Sequence, residues 1–160
     1  MKKSIYPAEI MLVMNSRLFI AALEGVNDEQ ANQRISDHNN PLIWLATHTT
    51  WARFNICAML GKPAKNPYEG KFENFKAYDP KDNYPTLAEV KVEWNKASEL
   101  LKEALNTVTE EHLAAESPLK SPIGDFTFGG TVAFLAQHES YDIGQMAFLK
   151  KYHTKVAMKY

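Results

Sequence analysis

Hydrophobic residues recur with helical spacing in four long segments of the chain, and no segment shows the sustained alternation that is typical of a strand. The segments cover residues 8–23, 41–61, 85–108 and, after Gly129 and Gly130, 131–152, and each is bounded by glycine or proline at one end or both. Glycine commonly follows the last turn of a helix, and proline is favoured in the first turn. We therefore predict an all-α fold built from four long helices.

The third segment carries the most regular apolar stripe of the chain. It begins with Thr86 and Glu89, which have the spacing of a capping box, in which each side chain bonds to the backbone of the other residue. Its apolar residues fall on one face at helical spacing: Leu87, Val90, Trp94, Ala97, Leu101, Ala104 and Val108. We predict that this face lies in the core.

The first segment is apolar over more than one face. One stripe, predicted to face the core, consists of Ile10, Met14, Leu18 and Ala21. Further apolar residues widen this surface: Met11, Leu12, Val13, Phe19 and Ile20. Apolar surface in excess of what one chain buries often marks an interface with another molecule. We therefore predict a homodimer.

A long connector separates the second and third helical segments. Residues 61–85 contain four prolines, which exclude a continuous helix, and five aromatic residues, which argue against a free linker. A helix of about 20 residues is about 30 Å long, and a connector of this length can return along that distance. Helices two and three would then run parallel. We predict one domain over residues 1–160, a four-helix bundle with a long crossover.

The overall composition excludes several classes of protein. The 160 residues include 18 Lys and Arg against 19 Asp and Glu, so no basic excess attracts nucleic acid or an anionic membrane. The single Cys57 excludes an internal disulfide and a multi-cysteine zinc site. The N-terminal segment lacks the features of a secretory leader, and no apolar run is long enough to span a membrane. We expect a cytoplasmic protein.

Three polar side chains in the helical segments have the spacing of metal ligands. His138 and Asp142 are four residues apart and therefore leave the same face of a helix. His48 lies between Trp44 and Trp51 on an apolar face of the second segment. Facing helices can bring such groups together in a bundle core, and two imidazoles with one carboxylate suit Zn, Ni or Fe(II). The same residues can instead form a hydrogen-bonded core network without metal.

Two stretches of the sequence resemble the DinB-like superfamily of metalloenzymes. Residues 40–48, Asn-Pro-Leu-Ile-Trp-Leu-Ala-Thr-His, are similar to the second helix of that family. Residues 138–145, His-Glu-Ser-Tyr-Asp-Ile-Gly-Gln, are similar to its last helix, where His-x-x-x-His is followed by Gly-Gln. The resemblance implies an up-down-down-up four-helix bundle, often dimeric, in which three histidines bind a divalent metal.

By position, the resemblance makes His48, His138 and Asp142 the metal ligands. Asp142 stands where the family usually has a second histidine, so the site either persists with an altered metal preference or has lost its metal. The family implies an enzyme of hydrolase or S-transferase type that activates water or a low-molecular-weight thiol. Asn55 and Gln145 are candidates to support the ligands or contact the substrate. The alternative is a non-enzymatic, metal-free bundle that binds a small ligand or protein partner.

Overall fold

The computed structural model describes residues 3–160, which contain six α-helices and no strand. The helices are α1 (Tyr6–Leu23), α2 (Asp28–Asn32), α3 (Leu42–Met59), α4 (Leu87–Thr107), α5 (Glu110–Ala114) and α6 (Phe128–Thr154), and a 3-10 turn covers Glu73–Phe75. The prediction of an all-α fold is confirmed. None of the helices in this range combines the length and apolar character that crossing a bilayer requires.

Side-chain caps mark the starts of four helices: α2, α4, α5 and α6. The Thr127 hydroxyl accepts a hydrogen bond from the Gly130 backbone N–H at 3.0 Å, so α6 begins at Phe128, and Gly129 and Gly130 lie in its first turn. The helix therefore begins earlier than predicted, since the prediction placed its start after these two glycines. The predicted capping box of α4 is present, since Thr86 and Glu89 exchange hydrogen bonds. A second capping box, between Asn27 and Gln30, begins the short α2 helix, which the periodicity did not indicate.

The four long helices pack side by side around an apolar interior. Helix α1 contacts α4 and α6, and α3 contacts the same two helices. The Lys3 ammonium bonds to the Leu105 carbonyl, whereas the Trp94 indole N–H donates to the Ser16 carbonyl at 3.0 Å. These pairings show that α1 and α4 run in opposite directions. Phe19 stacks on Trp94 with ring centroids 3.8 Å apart and closes the middle of this interface.

The core face of α4 is as predicted, and that of α1 is not. All seven residues of the α4 stripe are buried. In α1, Ile10 is 49% exposed and Met14 is 39% exposed. Leu18 of the predicted stripe is buried, together with six residues outside it: Ala8, Leu12, Asn15, Phe19, Ala22 and Leu23. Because α1 is apolar on several faces, its sequence does not define which one packs inward.

The connector between α3 and α4 is ordered by its aromatic residues. Tyr68 and Phe72 are buried, and Tyr78 stacks on Tyr84 with centroids 5.6 Å apart. Phe75 is the exception, because it adopts a left-handed backbone conformation with φ of 57° and leaves its ring fully exposed. The connector therefore packs against the helices and carries one apolar side chain outward.

Candidate metal centre

Helices α3 and α6 bring three potential ligand atoms together. His48 lies in the middle of α3, and His138 and Asp142 lie one turn apart on the facing side of α6. The two histidine Nε2 atoms are 3.3 Å apart. Asp142 Oδ2 is 3.8 Å from His48 Nε2 and 3.5 Å from His138 Nε2. The three residues, called the ligand trio below, thus converge as their spacing predicted.

Aromatic rings hold the His48 imidazole in place. Trp44, one turn earlier on α3, stacks on it with centroids 4.9 Å apart and planes 10° apart. Phe72 of the connector meets the imidazole edge-on at 5.1 Å. The Trp51 ring lies 5.5 Å from the imidazole and is tilted by 32°. These contacts restrict rotation of the imidazole and hold its Nε2 atom toward α6.

Burial keeps both imidazoles uncharged near neutral pH. Burial, with the neighbouring His138 as a smaller cause, lowers the pKa of His48 to about 4. Burial also lowers the pKa of His138. A neutral imidazole has a free nitrogen lone pair, which is the form that binds a metal. Burial and the negative charge of Glu139 raise the pKa of Asp142 to about 7, so a cation at the site would favour its ionised form.

The geometry of the ligand trio fits a divalent ion. Donor atoms about 2.0–2.2 Å from a tetrahedral ion lie about 3.3–3.6 Å from one another, close to the three distances found here. Asp142 Oδ1 accepts a hydrogen bond from Gln145 at 3.3 Å. Asp142 Oδ2 is buried with no hydrogen-bond partner among the described residues. A buried carboxylate oxygen without a partner is costly, and a bound cation would satisfy it.

A buried ion pair beside the ligand trio was not predicted from the sequence. Arg53 of α3 makes two hydrogen bonds with the Glu139 carboxylate, at 2.9 and 2.5 Å, and both side chains are inaccessible to solvent. The guanidinium also donates to the hydroxyls of Ser16 and Ser98. Since Glu139 follows His138 directly, this network fixes the backbone that carries one histidine of the trio. The feature of the sequence that could have indicated this pair is that Arg53 and Glu139 are charged residues within helical segments that are otherwise largely apolar.

Gln145 and Asn55, the two residues predicted to support the ligands or contact the substrate, differ in their relation to the trio. Gln145 contacts it directly through Asp142. Asn55 accepts a hydrogen bond from Asn66 at 3.4 Å, and the same Asn66 amide donates to the Trp51 carbonyl at 3.0 Å. Asn55 therefore anchors the connector to α3. Cys57 is fully buried with its sulfur 3.5 Å from the Ala97 carbonyl of α4, so it packs in the core and lies apart from the trio.

Comparison with known proteins agrees with this architecture. The family model of the DinB superfamily matches residues 11–146. A crystal structure of a conserved protein from Enterococcus faecalis is similar in fold, with a TM-score of 0.72 at 15% sequence identity. The similarity covers 98% of this chain and 100% of that one. No curated protein matches the chain in sequence.

Proposed function

The chain belongs to the DinB superfamily, and from this membership and the ligand trio we propose that it is a metal-dependent enzyme of hydrolase or S-transferase type. His48, His138 and Asp142 would hold a divalent Zn, Ni or Fe ion in the proposed site. The observation that carries the proposal is the convergence of two neutral imidazoles and one partnerless carboxylate oxygen within 3.8 Å. When bound, the ion would act as a Lewis acid that lowers the pKa of a water or of a small thiol.

The residues around the trio have supporting roles in this proposal. Trp44 and Phe72 pack against the His48 ring and keep its orientation. Gln145 holds one oxygen of Asp142 and leaves the other oriented toward the histidines. Glu139 does not serve as a general base, because Arg53 engages both of its carboxylate oxygens.

The topology and location of the protein belong to the same proposal. We propose an up-down-down-up four-helix bundle with a long crossover between helices two and three of the four (α3 and α4). His48 pairs with Asp142, and the later Arg53 pairs with the earlier Glu139. Helices α3 and α6 therefore run in opposite directions, as the up-down-down-up order requires. We also propose a cytoplasmic location, because the single cysteine is a free buried thiol, as is usual in a reducing compartment.

One observation favours a second candidate, a metal-free bundle that binds a small ligand or protein partner. The 3.3 Å separation of the two Nε2 atoms is also compatible with a hydrogen bond in which one histidine donates and the other accepts. In that case the trio would be a polar core network and the protein need not catalyse a reaction.

Metal analysis of the untagged protein separates the two candidates. We expect about one equivalent of divalent metal in the wild type and a marked fall in melting temperature after chelation. His138→Ala should lose the metal. His38→Ala is the matched control, since His38 is exposed in the loop before α3, and it should retain the metal. Wild-type protein with little metal and unchanged melting in chelator would support the metal-free candidate.

A further inference from the structure

A cavity of about 670 Å³ includes His48 and His138 in its lining. Its walls are rich in aromatic side chains, contributed by α3, the connector and α6: Trp44, Trp51, Phe72 and Phe134. Pockets of about 300–1,000 Å³ with mainly apolar walls and few polar groups are typical of small-molecule sites. The cavity therefore has the size and composition to receive a small organic molecule beside the trio.

The aromatic rings that line the cavity stand at different angles to one another. Phe72 stands nearly perpendicular to Trp44, with centroids 5.4 Å apart and planes at 88°. It is also nearly perpendicular to His48, at 78°. On the other wall, Phe134 lies 6.0 Å from the His138 ring and is tilted by 34°. A planar aromatic guest can therefore make edge-to-face and offset contacts, the two arrangements that aromatic pairs prefer.

The charged side chains in the lining offer little to an ionic ligand. Apart from the histidines, these are Glu73 and Lys76, and both are exposed. Lys76 pairs with Asp82 at 2.8 Å. The Glu73 carboxylate accepts a hydrogen bond from the Phe72 backbone N–H at 3.1 Å. The Lys76 charge is thus balanced by Asp82, the exposed Glu73 carboxylate disfavours an anion, and the otherwise mainly apolar walls favour a neutral ligand.

We infer that the ligand of this cavity is a small molecule whose body is a neutral, planar aromatic ring system. A saturated ring of equal size would bury comparable area but would lack the quadrupole that aromatic walls recognise. A molecule of this class would lie beside the ligand trio, so the inference adds a ligand class to the proposed function. Only the role of this molecule as a substrate rests on the proposed function; its binding in the cavity does not.

Calorimetric titration of the full-length, chelator-treated protein tests the inference with two matched alcohols. 2-Naphthol is planar and aromatic, whereas decahydro-2-naphthol has the same carbon skeleton and hydroxyl but no aromatic ring. We expect 2-naphthol to bind one site per chain, about tenfold more tightly than the saturated alcohol. Phe134→Leu should weaken 2-naphthol binding by about threefold to tenfold.

Phe148→Leu provides the matched control. Phe148 lies on the same helix, is 62% exposed and is not part of this cavity, so its replacement should leave the affinity unchanged. Equal affinities for the two alcohols, no binding of either, or an equal loss in Phe148→Leu would overturn the inference. The titration uses chelator-treated protein, so its result does not depend on bound metal. If the metal analysis finds little metal in the untagged wild type while the titration still discriminates between the alcohols, the proposed function is refuted and this inference stands.

Discussion

Asp142 supplies the only anionic ligand of the proposed site, so its replacement tests the site most directly. Asp142→Asn changes the shape of the side chain little but removes its charge, and we expect it to lose most of the bound metal. Asp142→His recreates an all-imidazole set, and it should retain Zn or Ni. Metal stoichiometry of the purified variants gives the answer. Asp125→Asn, at an exposed position before α6, should keep the wild-type content.

The same variants show whether Asp142 has a purely structural role. If its carboxyl group only contributes hydrogen bonds to the core, Asp142→Asn should lower the free energy of unfolding by about 1–3 kcal/mol. The metal content would then equal that of the wild type, and this result would remove Asp142 from the ligand trio. Denaturant unfolding of metal-free wild type and variant, run beside the metal analysis, distinguishes the two roles.

Cys57 is expected to be unreactive in the folded protein. Burial is the main cause that raises the pKa of its thiol to about 12, so almost no thiolate is present below pH 9. A thiol-specific disulfide reagent at pH 8 should modify the native protein only as fast as the core opens, and the denatured protein at once. Absorbance of the released chromophore measures both rates. Rapid reaction of the native protein would show that this part of α3 is accessible.

Residue patterns predicted that the three residues of the trio converge, but not what surrounds them. His138 and Asp142 share a helix face by spacing alone, and His48, on an apolar face of another segment, was expected to meet them in the bundle core. The resemblance to a family with histidine ligands implied the same three residues. The Arg53–Glu139 pair depends on two helices meeting at one register, which no local pattern contains. In the same way, the role of Phe72 as a wall of the His48 site depends on how the connector folds back.

The Arg53–Glu139 pair links α3 to α6 and should contribute strongly to the stability of their interface. Glu139→Leu leaves a buried guanidinium without its counter-ion, and we expect a loss of about 3–5 kcal/mol in the free energy of unfolding. Arg53→Leu combined with Glu139→Leu should recover much of this loss, because no unpaired charge remains. Urea unfolding monitored by circular dichroism measures all three proteins.

An exposed ion pair provides the comparison for that interface. Glu116 and Lys120 form a salt bridge at 2.5 Å with both side chains largely in solvent. Glu116→Leu should therefore change the urea midpoint very little. A small effect of Glu139→Leu, similar to that of Glu116→Leu, would mean that the buried pair is not important for the stability of the α3–α6 interface.

For the helices, the sequence predicts where a helix forms better than it predicts which face of that helix packs into the core. In α4, polar residues occupy one side, and all seven apolar stripe positions are buried. In α1, apolar residues occupy several sides, and the predicted stripe includes the exposed Ile10 and Met14. The orientation of α1 is decided by long-range packing instead, such as the stacking of Phe19 on Trp94. Local periodicity fixes a face only when the other faces are polar.

For the whole molecule, we propose a homodimer formed through the outer face of α1. Ile10, Val13 and Met14 lie on one side of this helix and are exposed, with Val13 at 57%. Apolar side chains grouped in this way are better covered by a second copy than left in water. Sedimentation equilibrium of the wild type should then give about 36 kDa, twice the chain mass of 18.2 kDa.

Two valine variants test whether α1 is the dimer interface. Val13→Glu places a charge on the proposed contact, and because burying an unpaired carboxylate is costly, it should shift the sedimenting species to the mass of one chain. Val92→Glu makes the same change at an exposed position on α4, and it should leave the dimer intact. Both variants should keep the helical circular dichroism of the wild type, because neither valine is part of the core. A wild type that sediments as a single chain at micromolar concentration would refute the dimer, and dissociation by Val92→Glu alone would move the interface from α1 to α4.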